Sequence, residues 1–420
     1  MKINRYIFVS TILAMTLTAC SKDDGNPIAP ISDKSYSGVA ALDLEYDDAP
    51  MSGKTVDYTQ NGTDAVLTMR SVVSPGDISA SLKALPSIPG PGVLPGTPTL
   101  RLPVTLHADG DEYEFSGTGE TEFVTYSYSG DVNANKLDFD FDNVRLKNQR
   151  LANTAWVPAP TIAADGGMVY KSLPVHIVWE CSLPTQLEGF DGTIQDALTI
   201  LACLPIIPAY NNTAYMSLTQ VLGSALKTVA FRSDGNSVVT YLQSNNGAAQ
   251  FTQAPICMIQ YLPLNDNMLK LFVNPTDFMG QILINTSSHP NLPPNPFGKA
   301  KRSGETPATA TGQVSIEQMA KILEQMAPMI SEGFPMQYSM TKSSLQIFLN
   351  TETLLPLLKG VIVPLLSDPI IQESIFEAVA TNPMFAHQLP VVKKLLAAFP
   401  QLLDSTTKIE LGINLVPYAK

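Results

Sequence analysis

Leu137-Asp138-Phe139-Asp140-Phe141-Asp142 decides the fold. Apolar and acidic residues alternate through it with period two, which makes a strand with one face in a core and the other in water. A helix cannot sort these residues onto two such faces. A strand with one wet face belongs to an antiparallel sheet, closed as a small barrel or sandwich.

Outward from this stretch the same period recurs at residues 38–45, 54–58, 65–73, 100–107, 113–118, 121–129 and 136–144. Asn61-Gly62, Ala108-Asp109-Gly110 and residues 131–135 supply turns between them. The spacing predicts an antiparallel β domain over 36–150. Residues 74–98 interrupt it with six prolines and four glycines. So much proline withholds backbone donors, and a long surface loop, or a loop across one mouth, is expected there.

Residues 151–420 read as an α+β domain with helices packed on an antiparallel sheet. Strands are predicted at 175–181, 228–232, 237–242, 256–262, 268–273, 336–340, 345–350 and 408–416. Ile409, Leu411, Ile413 and Leu415 fall on one side of the last of these, which is expected to pair back into the earlier hairpins. Helices are predicted at 193–204, 217–226, 316–330, 368–380 and 390–399, the third opened by the capping box Ser315-Ile316-Glu317-Gln318. Residues 286–313, rich in proline, glycine, serine and threonine, read as an exposed connection.

The segment 353–366 has Lys359 as its only charge and no polar face. A helix apolar nearly all round must be covered on every side, by protein or by an apolar ligand, and Pro356, Gly360 and Pro364 are expected to break or kink it. At this length it is too short to cross a membrane.

Composition bounds the possible functions. The chain is 45% hydrophobic and 15% charged, which excludes disorder over most of it. Its formal charge of -12 makes nucleic acid an unfavourable partner. The histidines at 107, 176, 289 and 387 are isolated, so zinc has no support in the sequence. Asp131, Asn133, Asn135 and Asp142 fall at positions of a calcium loop. Lys136 stands where that loop needs glycine, and the run reads as a hairpin with an acidic face. Two SxxK matches, Ser224 to Lys227 and Ser339 to Lys342, lack the KTG element that would accompany them. No catalytic set, metal site or cofactor motif assembles, and a non-enzymatic role is expected. Of four cysteines, Cys181, Cys203 and Cys257 cannot all pair, and burial as small apolar residues is expected.

At the start of the chain Lys2 and Arg5 precede an apolar run that ends in Leu17-Thr18-Ala19-Cys20. The pattern resembles a bacterial lipoprotein signal. It implies removal of residues 1–19, lipid chains on Cys20, and a formal charge of -14 once Lys2 and Arg5 have left. Residues 20–35 then form a flexible tether. Ser21-Lys22-Asp23-Asp24 is similar to the signal that sends lipoproteins of the Bacteroidota to the outer face of the outer membrane. Asp404-Ser405-Thr406 is similar to their O-glycosylation acceptor, with Ser405 as the candidate residue. The layout as a whole resembles Bacteroidota surface lipoproteins of about four hundred residues, whose N-terminal part is a calycin-type barrel and to which no activity is assigned.

These readings converge on a lipoprotein that touches the membrane through its anchor. It is expected to bind an apolar or amphipathic small molecule between the sheet and helices of the second domain. Met319, Leu323 and Met326 on one helix, with Leu354, Leu358, Val361 and Leu365 on the apolar segment, are the candidate lining. The alternative is a surface scaffold with a filled core and a protein partner.

Overall fold

In the computed structural model the alternating stretch lies in a strand, Leu137–Leu146, whose Leu137, Phe139 and Phe141 are fully buried while Asp138, Asp140 and Asp142 are half-buried. The structure describes residues 29–74, 87–163, 170–182, 193–203, 207–208, 215–245, 248–274, 316–381 and 386–418. Over these the chain is mainly β, with a curled half-barrel sheet and a few helices.

The strands before Leu151 are β1 (Lys34–Ser37), β2 (Leu42–Tyr46), β3 (Ala49–Pro50), β4 (Lys54–Asn61), β5 (Asp64–Val73), β6 (Ile88–Pro89), β7 (Thr99–Thr105), β8 (His107–Asp109), β9 (Glu112–Glu120), β10 (Val124–Val132) and β11 (Leu137–Leu146). One sheet runs β1-β4-β5, with β6 and β7 both paired to β5, and a second runs β3-β2-β11-β10-β9-β8. The expectation of wholly antiparallel neighbours fails at β2 and β11, which pair in parallel from Leu42↔Leu137 to Tyr46↔Phe141. Between these two strands the chain makes most of the first sheet and then β8, β9 and β10 of the second, and so long an excursion lets β11 arrive from the same end as β2.

The proline-rich interruption also departs from expectation. Its described part is no surface loop: β6 pairs with Val72 and Val73, and residues 90–95 are buried. Lys54, only 6% exposed, donates to the carbonyls of Pro91 at 2.6 Å and Gly92 at 3.0 Å. The ammonium thus satisfies two buried carbonyls that lie outside the β6 ladder. A Cβ on Gly92 would lie 1.8 Å from the Thr97 carbonyl oxygen, so only glycine fits there.

The later strands are β12 (Thr154–Pro158), β13 (Ile162–Ala163), β14 (Tyr170–Ser172), β15 (Val175–Cys181), β16 (Ile207–Pro208), β17 (Tyr215–Met216), β18 (Leu226–Phe231), β19 (Ser237–Asn245), β20 (Ala248–Gln253), β21 (Ile259–Pro263), β22 (Met268–Val273), β23 (Phe334–Met340), β24 (Leu345–Leu349) and β25 (Thr406–Pro417). Ten of them make one sheet in the order β20-β19-β18-β12-β25-β24-β23-β22-β21, with β15 also on β25. β25 does pair back into the hairpins, joining their two wings. The sheet curls so that its end strand β21 reaches the turn between β18 and β19: Tyr261 N donates to Gly235 O at 2.7 Å, and Asn236 bridges to Gln260.

That meeting point also docks the first strands. The Tyr46 hydroxyl donates to Asp234 O at 2.5 Å, and Leu146 N donates to Ser233 O at 2.9 Å. One apolar core runs from Ile31 through Phe139, Trp156 and Tyr261 to Leu415. No ladder joins the strands before Leu151 to those after it among the described residues.

Several of the helices pack around a second core of Trp179, Leu354 and Leu403, while Ile330 packs in a third with Val73 and Ile88. The helices among the described residues are α1 (Ile194–Cys203), α2 (Leu218–Ala225), α3 (Ile316–Glu332), α4 (Thr351–Leu357), α5 (Val363–Leu366), α6 (Pro369–Thr381) and α7 (Leu389–Asp404). A π-helical turn, Leu358–Ile362, joins α4 to α5, and Val363 N donates to Leu358 O across it. The segment 353–366 therefore continues past its prolines, because the widened turn makes room just before the Pro364 ring. It is not covered on every side either. Leu354 is buried, but most of the other apolar residues are half-buried. No single helix among the described residues is long and apolar enough to cross a membrane. Cys181, Cys203 and Cys257 form no disulfide and are half-buried rather than fully enclosed.

Candidate functional site

Two strands make the floor of the site. β15 and β25 pair with Ile177 opposite Leu411 and Trp179 opposite Ile409, so the period-two pattern puts all four side chains on one face. The opposite face carries His176, Lys408 and Glu410. There Glu410 Oε2 lies 2.8 Å from His176 Nε2, and Oε1 lies 3.2 Å from Lys408 Nζ. His176 also stacks on Phe348, their ring centroids 4.5 Å apart.

Helix caps set the walls. Thr193 and Asp196 cap α1 reciprocally: Thr193 N donates to Asp196 Oδ2 at 2.8 Å and Asp196 N to Thr193 Oγ1 at 3.2 Å. The hydrogen bonds from Thr193, side chain first, hold the Asp196 carboxyl below its usual range. Ser217 and Gln220 form a capping box on α2, and the Asn350 side chain accepts from Thr353 N at the start of α4. The Thr351 hydroxyl fastens α4 to the floor, accepting from Ile409 N at 2.9 Å and donating to Ile409 O at 3.1 Å. Trp179 Nε1 donates to Thr406 Oγ1 at 2.8 Å, and that hydroxyl donates to Leu402 O at 2.7 Å, tying α7 to the same strands.

Floor and walls do not close completely. A hollow of about 360 Å³ remains between them, with Leu198 and Ala202 of α1 and Leu218 of α2 on one side. Leu354 and Leu358 stand on another side with Phe399 of α7, whose ring meets Trp179 edge-on at 6.0 Å. The lining is almost wholly apolar. None of the buried side-chain polar atoms that lack a hydrogen bond among the described residues belongs to it.

Of the residues singled out from the sequence, Leu354 and Leu358 line the hollow. Val361 and Leu365 do not, although a regular helix would carry them on the same face. The π turn inserts an extra residue per turn after Leu358 and rotates everything beyond it by about 100°. Met326 packs elsewhere, against Val73, Ile88 and Ile330. The side chains of Met319 and Leu323, the segment 286–313 and residues 20–24 lie outside the described residues. Ser405 occupies the turn between α7 and β25, half-buried, its hydroxyl donating to Leu402 O at 3.0 Å.

Trp179, Phe399 and Ala202 were not singled out. The alternation around Ile177 and Ile409 identifies two strands, but nothing local says that they pair across more than two hundred residues.

A wider hollow, about 580 Å³, lies on β9 and β10 among Thr118, Tyr126 and Asn143, but it is shallow and open. Among the described residues no group of three or more histidine, cysteine, aspartate or glutamate side chains could hold a metal ion. Compared with family models, curated proteins and solved structures, the chain matches none.

Proposed function

We propose that this protein is a non-enzymatic lipoprotein, anchored at the outer face of the outer membrane through Cys20, that holds an apolar or amphipathic small molecule between the sheet and helices of its C-terminal part. In this reading residues 36–150 form a calycin-like unit and residues 151–420 the ligand-holding unit. The observation that carries it is the 360 Å³ apolar hollow walled by Leu354 and Leu358, within the size range of small-molecule sites. A scaffold with a filled core would have no reason to keep such a space.

Native mass spectrometry of protein purified from its own host tests the reading. A retained lipid-like mass is expected, and its loss is expected in Ala202→Phe, which fills the hollow from α1. Protein free of any such mass, with an Ala202→Phe variant more stable than the parent, speaks for the scaffold. Cys20→Ser tests the anchor: it should abolish partition into detergent and lower the mass by that of the lipid.

A further inference from the structure

The hollow has a direction. Its inner end is sealed by Trp179, Ala202, Leu354 and Ile409, each only 5% exposed. Its outer end is marked by Leu218 and Leu411, which are 39% and 46% exposed. They are among the few large apolar side chains left so open in the described residues. Two exposed leucines at the rim of an apolar hollow gain contact when something apolar passes between them.

The interior offers no polar handle. The Trp179 indole and the Thr351 hydroxyl, which could have met a ligand, are both committed to protein partners. A polar group carried inside would lose its water without replacement, so the interior excludes it. At 360 Å³ the space is also at the small end for ligand sites. Glu410 also borders the hollow, but its carboxylate turns to the opposite face of the sheet, where His176 and Lys408 engage it, so it offers no uncompensated charge to select a head group.

We infer that the hollow takes one linear hydrocarbon chain, acyl or alkyl, of a single-chain amphiphile. The chain enters tail first toward Trp179, and its head group stays in water beyond Leu218 and Leu411. This deepens the ligand-holding reading above and rests on it. Specificity then lies in chain length and shape. Affinity rises about fourfold per methylene, the ~0.8 kcal/mol of a buried CH₂, until the tail reaches Trp179, and it changes little with the charge of the head.

Trp179 reports on the tail directly, since the chain has only two tryptophans. In Trp156→Phe it is the sole indole, and fatty acids brominated near the terminal methyl should quench it several-fold more than those brominated beside the carboxyl. On the unaltered full chain, calorimetry with octyl, decyl and dodecyl amphiphiles below their micelle concentrations should show the chain-length dependence, whether or not Trp156→Phe folds well. A rigid tetracyclic sterol should bind at least tenfold more weakly than the dodecyl probe. Equal quenching from both bromine positions, affinity independent of chain length, or sterol binding as tight as dodecyl would overturn the linear-chain inference and leave the apolar-ligand reading standing. Binding by neither class of probe would remove both.

Discussion

Asp140 stands beside Glu45 of β2, its partner in the parallel ladder, with Asp138 and Asp142 on either side along β11. Burial first, then the charges of Glu45, Asp142, Asp43 and Asp138, push its carboxyl up to about 6. For an acid the sign is unfavourable to the folded state. The cost is absent below the ordinary carboxylate range, grows as pH climbs from there through 6, and is complete above it. Asp140→Asn should therefore raise the melting temperature at pH 8 and leave it unchanged near pH 3, which paired thermal melts would show. Lys136 offsets only part of the repulsion, lying 2.6 Å from Asp138 and 3.5 Å from Asp43. The alternation in 137–142 was legible, and so was a hairpin turn at 131–135; its Asx geometry, in which Asn133 Oδ1 accepts from Asn135 N and Lys136 N, was not. The carboxylates that crowd Asp140 from β2 were not, since they depend on a pairing across nearly a hundred residues. Gly412 was equally silent. A Cβ there would lie 2.1 Å from the Ile347 carbonyl oxygen and 2.5 Å from Phe348 Cβ. Gly412→Ala should cost about 1–3 kcal/mol, read from urea denaturation.

Among the elements, strands announced by two-residue alternation and helices announced by caps fall close to their expected places. Val175–Cys181 and Met268–Val273 coincide with expectation residue for residue. β12 and β20 went unseen, because Thr-Ala-Trp-Val-Pro and Ala-Ala-Gln-Phe-Thr-Gln are too short or too polar to stand out without their neighbours. The segment 353–366 was legible as apolar but not in its path, because the π turn that carries it past Pro364 has no sequence signature of its own. That turn also decides which half of the segment faces the hollow. Leu358→Ala should therefore weaken binding of a dodecyl probe several-fold, whereas Val361→Ala should leave it nearly unchanged, both measured by calorimetry. Asn350→Ala removes the cap of α4 and should cost about 1 kcal/mol in a thermal or urea melt.

At the scale of the molecule, a single core shared by the early and late strands implies one cooperative transition. Calorimetric and spectroscopic melts should coincide, and Tyr46→Phe, which removes the hydroxyl from Asp234 O, should lower both together by about 1 kcal/mol. Alternation supplied strand positions in both regions. Their division into two ladder groups, docked by the turn at 232–236, depends on contacts that no local pattern encodes. The position of β25 has a consequence in time. It bridges the β12 wing to the β24 wing, yet every other strand of the sheet precedes it in the chain. Wherever the chain folds, the strands on either side of β25 can form only two unfinished sheets with bare flanks until it is in place. Long-range pairing of this kind is slow, so the chain is most exposed to edge-to-edge association in the interval before β25 docks.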